Sequence, residues 1–357
     1  MLIYLRCLAA ALLIAACPPV FGQGQFIPMG EPNTYLTGAS ADAGIVVGVF
    51  GHFGPVWRWT AATGVVTIGG TGFQAKISRD GKTIVSNAED TSGIASAAIW
   101  QGGTSWKMLG GVPGGQEIDG QLTTAYSVSG DGSIIVGLAW VAGSRAHAFR
   151  WDAQNGMIDL GTLQGTDSRA NVVSADGNVI LGWDANPQNL PMYLHDYWRG
   201  AMWWQGLERL LHPFGWISQV YDTNFNGTVW VGYGHPAAPR HAYRMASWGS
   251  IDDLGALVRG LTPQRREEED QSIATAVSDD GNVVAGESGY KPPRDAFIWT
   301  PQTKMVKLSD YAASLGIQGM QGWLLLGVSF VSPDGKILAG VGRNPRRLIE
   351  GYVLKLP

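Results

Sequence analysis

Cysteine is nearly absent from this chain. Its two cysteines, Cys7 and Cys17, both fall in the opening segment, so the remaining body can form neither a disulfide nor a thiolate metal site. Charge is scarce as well: 15% of the 357 residues are charged and the net charge is −4, which removes the electrostatic case for binding nucleic acid. Six histidines are scattered without metal-ligand spacing, so no metal or other cofactor is expected. Apolar runs are short. The longest, Leu8 to Ala16, is about half of what a membrane-crossing helix requires. That run follows Arg6 and precedes Pro18-Pro19, the pattern of a secretory leader, with residues 1–22 as the signal peptide and cleavage after Val20-Phe21-Gly22. A second reading takes Ile14-Ala15-Ala16-Cys17 as a lipobox and leaves a lipid-anchored Cys17. Either way the chain is expected outside the cytoplasm, extracellular or periplasmic, as a free protein or an outer-membrane lipoprotein.

Glycine and tryptophan are abundant instead, 50 and 15 residues, which suits many tight turns between short strands. The chain is internally repetitive. A strand, a Ser, a turn and an apolar strand recur with turns at Asp42-Ala43-Gly44, Asp80-Gly81, Asp131-Gly132, Asp176-Gly177, Asn226-Gly227, Asp280-Gly281 and Asp334-Gly335. These pairs predict two-residue hairpins of type I′, with positive φ at both positions and one extra residue in the first copy. Apolar runs such as Ile134-Ile135-Val136-Gly137 then predict strands buried on both faces. Third strands follow, among them Ala148-Phe149-Arg150-Trp151 and, in the fourth copy, Ala201-Met202-Trp203-Trp204, with the final Trp expected in the core between units.

Fourth strands end on Ile68-Gly69, Leu109-Gly110, Leu160-Gly161, Leu210-Leu211, Leu254-Gly255 and Leu308-Ser309, one fewer than the units require. The missing strand has its counterpart at the other end, in Phe26-Ile27-Pro28-Met29-Gly30. A ring closed from the opposite terminus follows: an all-β, seven-bladed β-propeller of four-stranded antiparallel blades. Blades are placed near 36–70, 74–111, 124–163, 169–211, 217–255, 272–309 and 323–357, with 26–30 as the closing strand. Closure leaves no open sheet edge and no uncovered apolar blade face. A short helix is expected over Leu308 to Leu315.

The repeated Ser-x-Asp-Gly…Val-x-Gly…Ala-Phe-Arg-Trp…Asp-Leu-Gly pattern resembles the HAF-repeat family of bacterial extracellular proteins. Leu308-Ser309-Asp310-Tyr311…Gly316…Gly322-Trp323, and the run from Gly340 to Pro357, are similar to that family's ending. The resemblance implies a secreted or surface location and supplies no catalytic residue. Some members continue into a sorting tail or an autotransporter barrel; neither is seen here, which argues against anchoring by those routes.

Because strands alternate in direction, short turns collect on one face of the disc and long loops on the other. The long-loop face is the expected binding face. Its richest insertion supplies Tyr193, His195, Asp196, Tyr197 and Trp198, and the neighbouring loop adds His212 and Trp216. Rings with polar tips suit a glycan or another envelope component. His195 beside Asp196 lacks a nucleophile and is not read as catalytic, and the turn aspartates are explained by turn geometry rather than by calcium or glycosidase chemistry. His147, His241, Asp295 and Glu350, each entering a third strand, are candidates for a polar ring around the funnel. The expectation is a non-catalytic binding or interaction module. A carbohydrate-active hydrolase or lyase on the same disc, and a purely structural surface protein, are the alternatives.

Overall fold

The computed structural model describes residues 24–163, 166–185, 198–211, 216–234, 240–246, 251–257, 270–289 and 292–357. Residues 1–23, with Cys7 and Cys17, lie outside them. Seven four-stranded antiparallel sheets form the blades of a closed propeller. Blade 1 runs from Thr34 to Gly69, blade 2 from Thr71 to Met108, blade 3 from Thr123 to Asp159 and blade 4 from Ser168 to Leu210. Blade 5 runs from Ile217 to Asp253 and blade 6 from Ser272 to Lys307; blade 7, Leu324 to Lys355, takes its outer strand from Gln25–Pro28. That strand pairs Phe26 with Leu354 and Ile27 with Val353, and Met29 donates its N–H to the Gly351 carbonyl. The Phe26 ring stacks on Tyr352 at 5.6 Å and meets the Trp323 edge at 5.1 Å. Leu308 and Ala312 of a short helix, α1 (Leu308–Ser314), pack into the same cluster. The core lies between blades. Val85, Ala97 and Ile99 of blade 2, for instance, meet Ala125, Ile135, Phe149 and Trp151 of blade 3.

The first strand of each blade is innermost, and the turn leaving it differs from the hairpin that its Asp-Gly pair predicts. In Ser129-Gly130-Asp131-Gly132-Ser133-Ile134 the Gly132 N–H donates to the Ser129 carbonyl, and Ser129 pairs with Ile134, so four residues form the loop. Only Gly132 has positive φ (78°); Asp131 does not. Asp131 instead accepts hydrogen bonds from the Ser129 hydroxyl and the Ser133 N–H, and the Ser129 Oγ accepts from the Ile134 N–H. Side chains thus replace the second positive-φ residue, which is why Ser precedes each Asp-Gly. The same bonds hold the Asp131 carboxyl below the ordinary carboxylate range, the Ser129 hydroxyl contributing most. The first copy carries no extra residue: Ala43, at φ 51°, stands where the others have Gly.

Past the turn, the second strand of six blades carries a glycine at a fixed position, among them Gly137 and Gly182. A Cβ there would lie 1.9 Å from the carbonyl oxygen of Thr124 or Arg169 on the inner strand. Opposite each such glycine the inner strand bulges by one residue. In blade 3 the register jumps from Ala125 to Ser127, and in blade 4 from Ala170 to Val172. Blade 2 has Ser86 instead. The extra Cβ and hydroxyl hold the inner strand off, the register jumps from Thr71 to Lys76, and the Ser86 Oγ bonds to the Thr71 and Gln74 carbonyls.

Two expectations about third strands need correction. In blade 4 the core position is filled by Trp203, 3% exposed, and Trp204 is 41% exposed. Trp203 pairs with Ile180 as Trp151 pairs with Ile135. A two-residue hairpin, Gln205-Gly206 with both φ positive, shortens the connection and shifts the register by one. The supposed polar ring does not exist either, because third strands lie too far from the axis. His147 Nδ1 bonds the Asp159 carboxylate of its own fourth strand at 2.9 Å, His241 does the same with Asp253, and Lys307 pairs with Asp295 at 3.1 Å. Glu350 accepts from the Gly30 N–H just past the closing strand. All four residues clamp the outer edge of their blades.

Candidate functional site

The inner strands surround a central channel whose two ends differ. On the short-turn face, the second residue of each turn points toward the axis. Backbone hydrogen bonds link these positions from blade to blade: Ala41 N–H to Arg79 O, Gly130 N–H to Ala175 O, Asp279 N–H to Pro333 O. Small residues at Ala41, Gly130 and Ala175 leave room for Arg79 to cross the ring. Its guanidinium makes two bonds to Asp279 of blade 6, at 2.7 and 2.5 Å, and lies 5.3 Å from the Phe225 ring centroid. Asp279 Oδ1 also accepts from the Phe225 N–H. This bidentate latch spans the channel end.

Behind the latch is a space of about 130 Å³, and beyond it a wider one of about 340 Å³ opens toward the long-loop face. Lys76, Asn171, Tyr221, Thr275 and Ser329 line both. The bulges explain this lining. The extra residue of the inner strand is Thr37, Tyr126, Asn171, Tyr221, Thr275 or Ser329 in six of the blades, and the bulge turns its side chain into the channel.

The wide mouth is aromatic and cationic. Phe73, 40% exposed because blade 2 lacks the usual glycine, packs 5.3 Å from Tyr126 and 6.5 Å from Phe53, which is 74% exposed. Arg169 lies over the Tyr126 ring at 4.6 Å and the Trp183 ring at 5.3 Å. Its hydrogen bonds go to Asn171 Oδ1, the Tyr126 hydroxyl and Gln219 Oε1, all neutral groups. Deeper in, Lys76 and Asp222 occupy equivalent strand positions. Burial pulls the Lys76 ammonium below the ordinary lysine range, opposed by the Asp222 charge. Asp222 accepts from the Val277 N–H at 2.9 Å, yet burial outweighs this and pushes its carboxyl up to about 6.

That shift fixes a pH dependence. The ordinary aspartate value is 3.8, so the folded protein holds this proton at pH values where the unfolded chain has lost it. Stability therefore falls as pH rises from about 4 to about 6 and stays lower above that window. Asp222→Asn is expected to gain on the order of 2 kcal/mol over the wild type at pH 8 and almost nothing at pH 4. Urea midpoints of both proteins at the two pH values check this.

Of the residues singled out from sequence, Tyr193, His195, Asp196, Tyr197 and His212 lie outside the described residues. Trp198 begins the third strand of blade 4 and packs 5.6 Å from Trp183, which joins it through Arg169 to the channel mouth. Trp216 immediately precedes the inner strand of blade 5 and is 46% exposed. The mouth itself, Phe73, Lys76, Tyr126, Arg169 and Tyr221, was not anticipated. A signal for part of it exists three residues before the turn Ser or Asn of six blades, where Thr37, Tyr126, Asn171, Tyr221, Thr275 and Ser329 stand.

No protein-family model matches the sequence, and no curated protein matches it. Solved structures do. The β-propeller domain of the Trilobed protease from Pyrococcus furiosus, described as having an open velcro topology, is 12% identical over 90% of this chain and 93% of that one, with TM-score 0.59. Oligogalacturonate lyase from Vibrio parahaemolyticus is 10% identical over 95% of both chains, with TM-score 0.54. Acylaminoacyl peptidase from Pyrococcus horikoshii is 12% identical over 92% of this chain and 53% of that one, also with TM-score 0.54. At such identities the likeness is one of fold. In contrast to an open ring, the strand Gln25–Pro28 here completes the last blade.

Proposed function

We propose that this protein is an exported, non-catalytic binding module of the HAF-repeat kind, taking a glycan or another envelope component at the long-loop end of its channel. One observation carries the reading: the channel is spanned by the Arg79–Asp279 latch at one end and opens at the other onto Phe73, Tyr126, Arg169 and a lining of hydroxyls and amides. Ring faces stack on the apolar faces of sugars, and the polar lining orients hydroxyl groups. A glycan-array screen of the protein without residues 1–22 tests it. The double variant Phe73→Ala/Tyr126→Ala is expected to bind at least about tenfold more weakly, two lost stacking contacts of about 1 kcal/mol each sufficing. A parallel variant with Tyr193, Tyr197 and Trp198 changed to Ala measures what the neighbouring insertion adds. No glycan bound by the unmutated protein would remove the reading.

A second reading, a carbohydrate-active lyase, draws on the convergence of Tyr126, Arg169, Tyr221 and Lys76 over one space. A lyase releases an unsaturated sugar, so growth of ultraviolet absorbance during incubation with any glycan that binds would favour it. A flat trace leaves binding alone.

A further inference from the structure

Lys76 and Arg169 line the channel as Arg79 does, but unlike Arg79 neither forms an ion pair among the described residues. Lys76 is enclosed by the inner strands and wetted only by the channel, and its ammonium makes no hydrogen bond or ion pair among the described residues. Asp222, at the equivalent position of blade 5, acts on Lys76 through its charge but makes no ion pair with it, and its Oδ2 accepts the Val277 N–H. Arg169 is fixed at the rim by three neutral acceptors, so its planar fork is held in place, and no carboxylate among the described residues pairs with it. An ammonium with no direct partner in an enclosed site is costly even with a carboxylate such as Asp222 in range, and a ligand carboxylate in contact with it offsets that cost. Between the cations, Thr37, Asn171, Thr275 and Ser329 offer donors and acceptors, and the aromatic faces of Phe73 and Tyr126 flank the entrance. The latch on the far side bars passage, so a chain enters end first.

Resting on the reading that the mouth binds a glycan, we propose that the channel seats the terminal residue of an acidic oligosaccharide, a uronate whose ring passes the Phe73–Tyr126 aromatics and whose carboxylate meets Lys76. Arg169 attracts the approaching anion at the rim and Lys76 receives it at depth. A charge-assisted hydrogen bond in an enclosed site is strong enough to make acid and ester forms distinguishable by about tenfold or more.

The test is titration calorimetry of the protein without residues 1–22 against oligosaccharides ending in galacturonate or glucuronate, their methyl esters, and the matching neutral oligosaccharides. The expected result is binding of at least one acid form about tenfold or more tighter than its ester, weakened by added salt. Lys76→Met, with melting temperature and circular dichroism as controls for folding, is expected to bind acid and ester alike. Arg169→Gln is expected to keep the preference in reduced form. Should Lys76→Met fail to fold, Lys76→Gln replaces it, and the acid-to-ester ratio of the unmutated protein still decides. Equal binding of acid and ester overturns the carboxylate seat while leaving the glycan reading standing. Binding of none of the probes overturns this proposal, and the array result then shows separately whether any glycan is bound.

Discussion

Gly182→Ala is expected to destabilise the protein by about 3 kcal/mol or more and to disturb the channel at the same time. The added Cβ would sit 1.9 Å from the Arg169 carbonyl oxygen and 3.0 Å from the Ala170 Cα. Both are backbone atoms, so no side-chain rotation relieves the contact, and the inner strand of blade 4 must move away. Overpacking a well-filled site with one carbon ordinarily costs about 1–3 kcal/mol, and a collision with backbone belongs at or above the top of that range. The strand that moves carries Arg169 and Asn171, and Asn171 Nδ2 bonds the Val220 carbonyl of the next blade. Ligand binding is therefore expected to weaken beyond what the lost stability explains. For a chain of this size each kcal/mol moves the melting temperature by about 1.4 °C, so a fall of about 4 °C or more is anticipated. Thermal unfolding alongside the glycan titration checks both parts. An unchanged melting temperature would mean that the bulge does not depend on the glycine. Blade 2 shows what the molecule does without it: with Ser86 in that place, the strand leaves the ladder between Thr71 and Lys76.

The second large effect concerns closure. Phe26→Ala is expected to cost about 3–5 kcal/mol, the usual range for removing a buried Phe. The ring is 8% exposed and stacks on Tyr352, with Trp323, Leu354 and Ile317 in the same cluster. Its strand is short, pairing Gln25 to Pro28 with Tyr352 to Lys355, so few other contacts compensate. Loss of this strand would expose a sheet edge on blade 7 and the apolar face beneath it. The expected readout is a lower urea midpoint, with faster hydrogen exchange concentrated in Ile349 to Lys355. A variant that unfolds at the wild-type midpoint would show that the ring does not rely on this strand.

Much of the fold was legible because blade formation is a local matter repeated seven times. The Ser-x-Asp-Gly turn, the apolar second strand and the amphipathic outer strands each follow from short-range chemistry, and repetition averages out irregular copies. Where local rules competed, the sequence misled. Asp-Gly favours a two-residue hairpin in isolation, yet in Ser129 to Ile134 the serine hydroxyl and the aspartate offer more hydrogen bonds through a four-residue loop. Trp203 and Trp204 were indistinguishable by composition, and only the length of the Gln205-Gly206 connection put Trp203 in the core. His147 and His241 were placed at the funnel because they share a strand position. Their partners, Asp159 and Asp253, stand twelve residues further on in the outer strand.

The sequence by itself determined the number of blades, the order of strands and the closing of the ring by Phe26 to Gly30, because a unit this small cannot bury both of its apolar faces and must pack against copies of itself. The site was decided by tertiary structure. Arg79 and Asp279 are two hundred residues apart and meet only because blades 2 and 6 face each other across an axis. Lys76, Tyr126, Arg169 and Tyr221 come from four blades, and bulges set by glycines on other strands turn residues such as Tyr126 and Tyr221 inward. Side chains that converge on an axis belong to no local stretch, so their meeting follows from the closed ring and not from the order of residues.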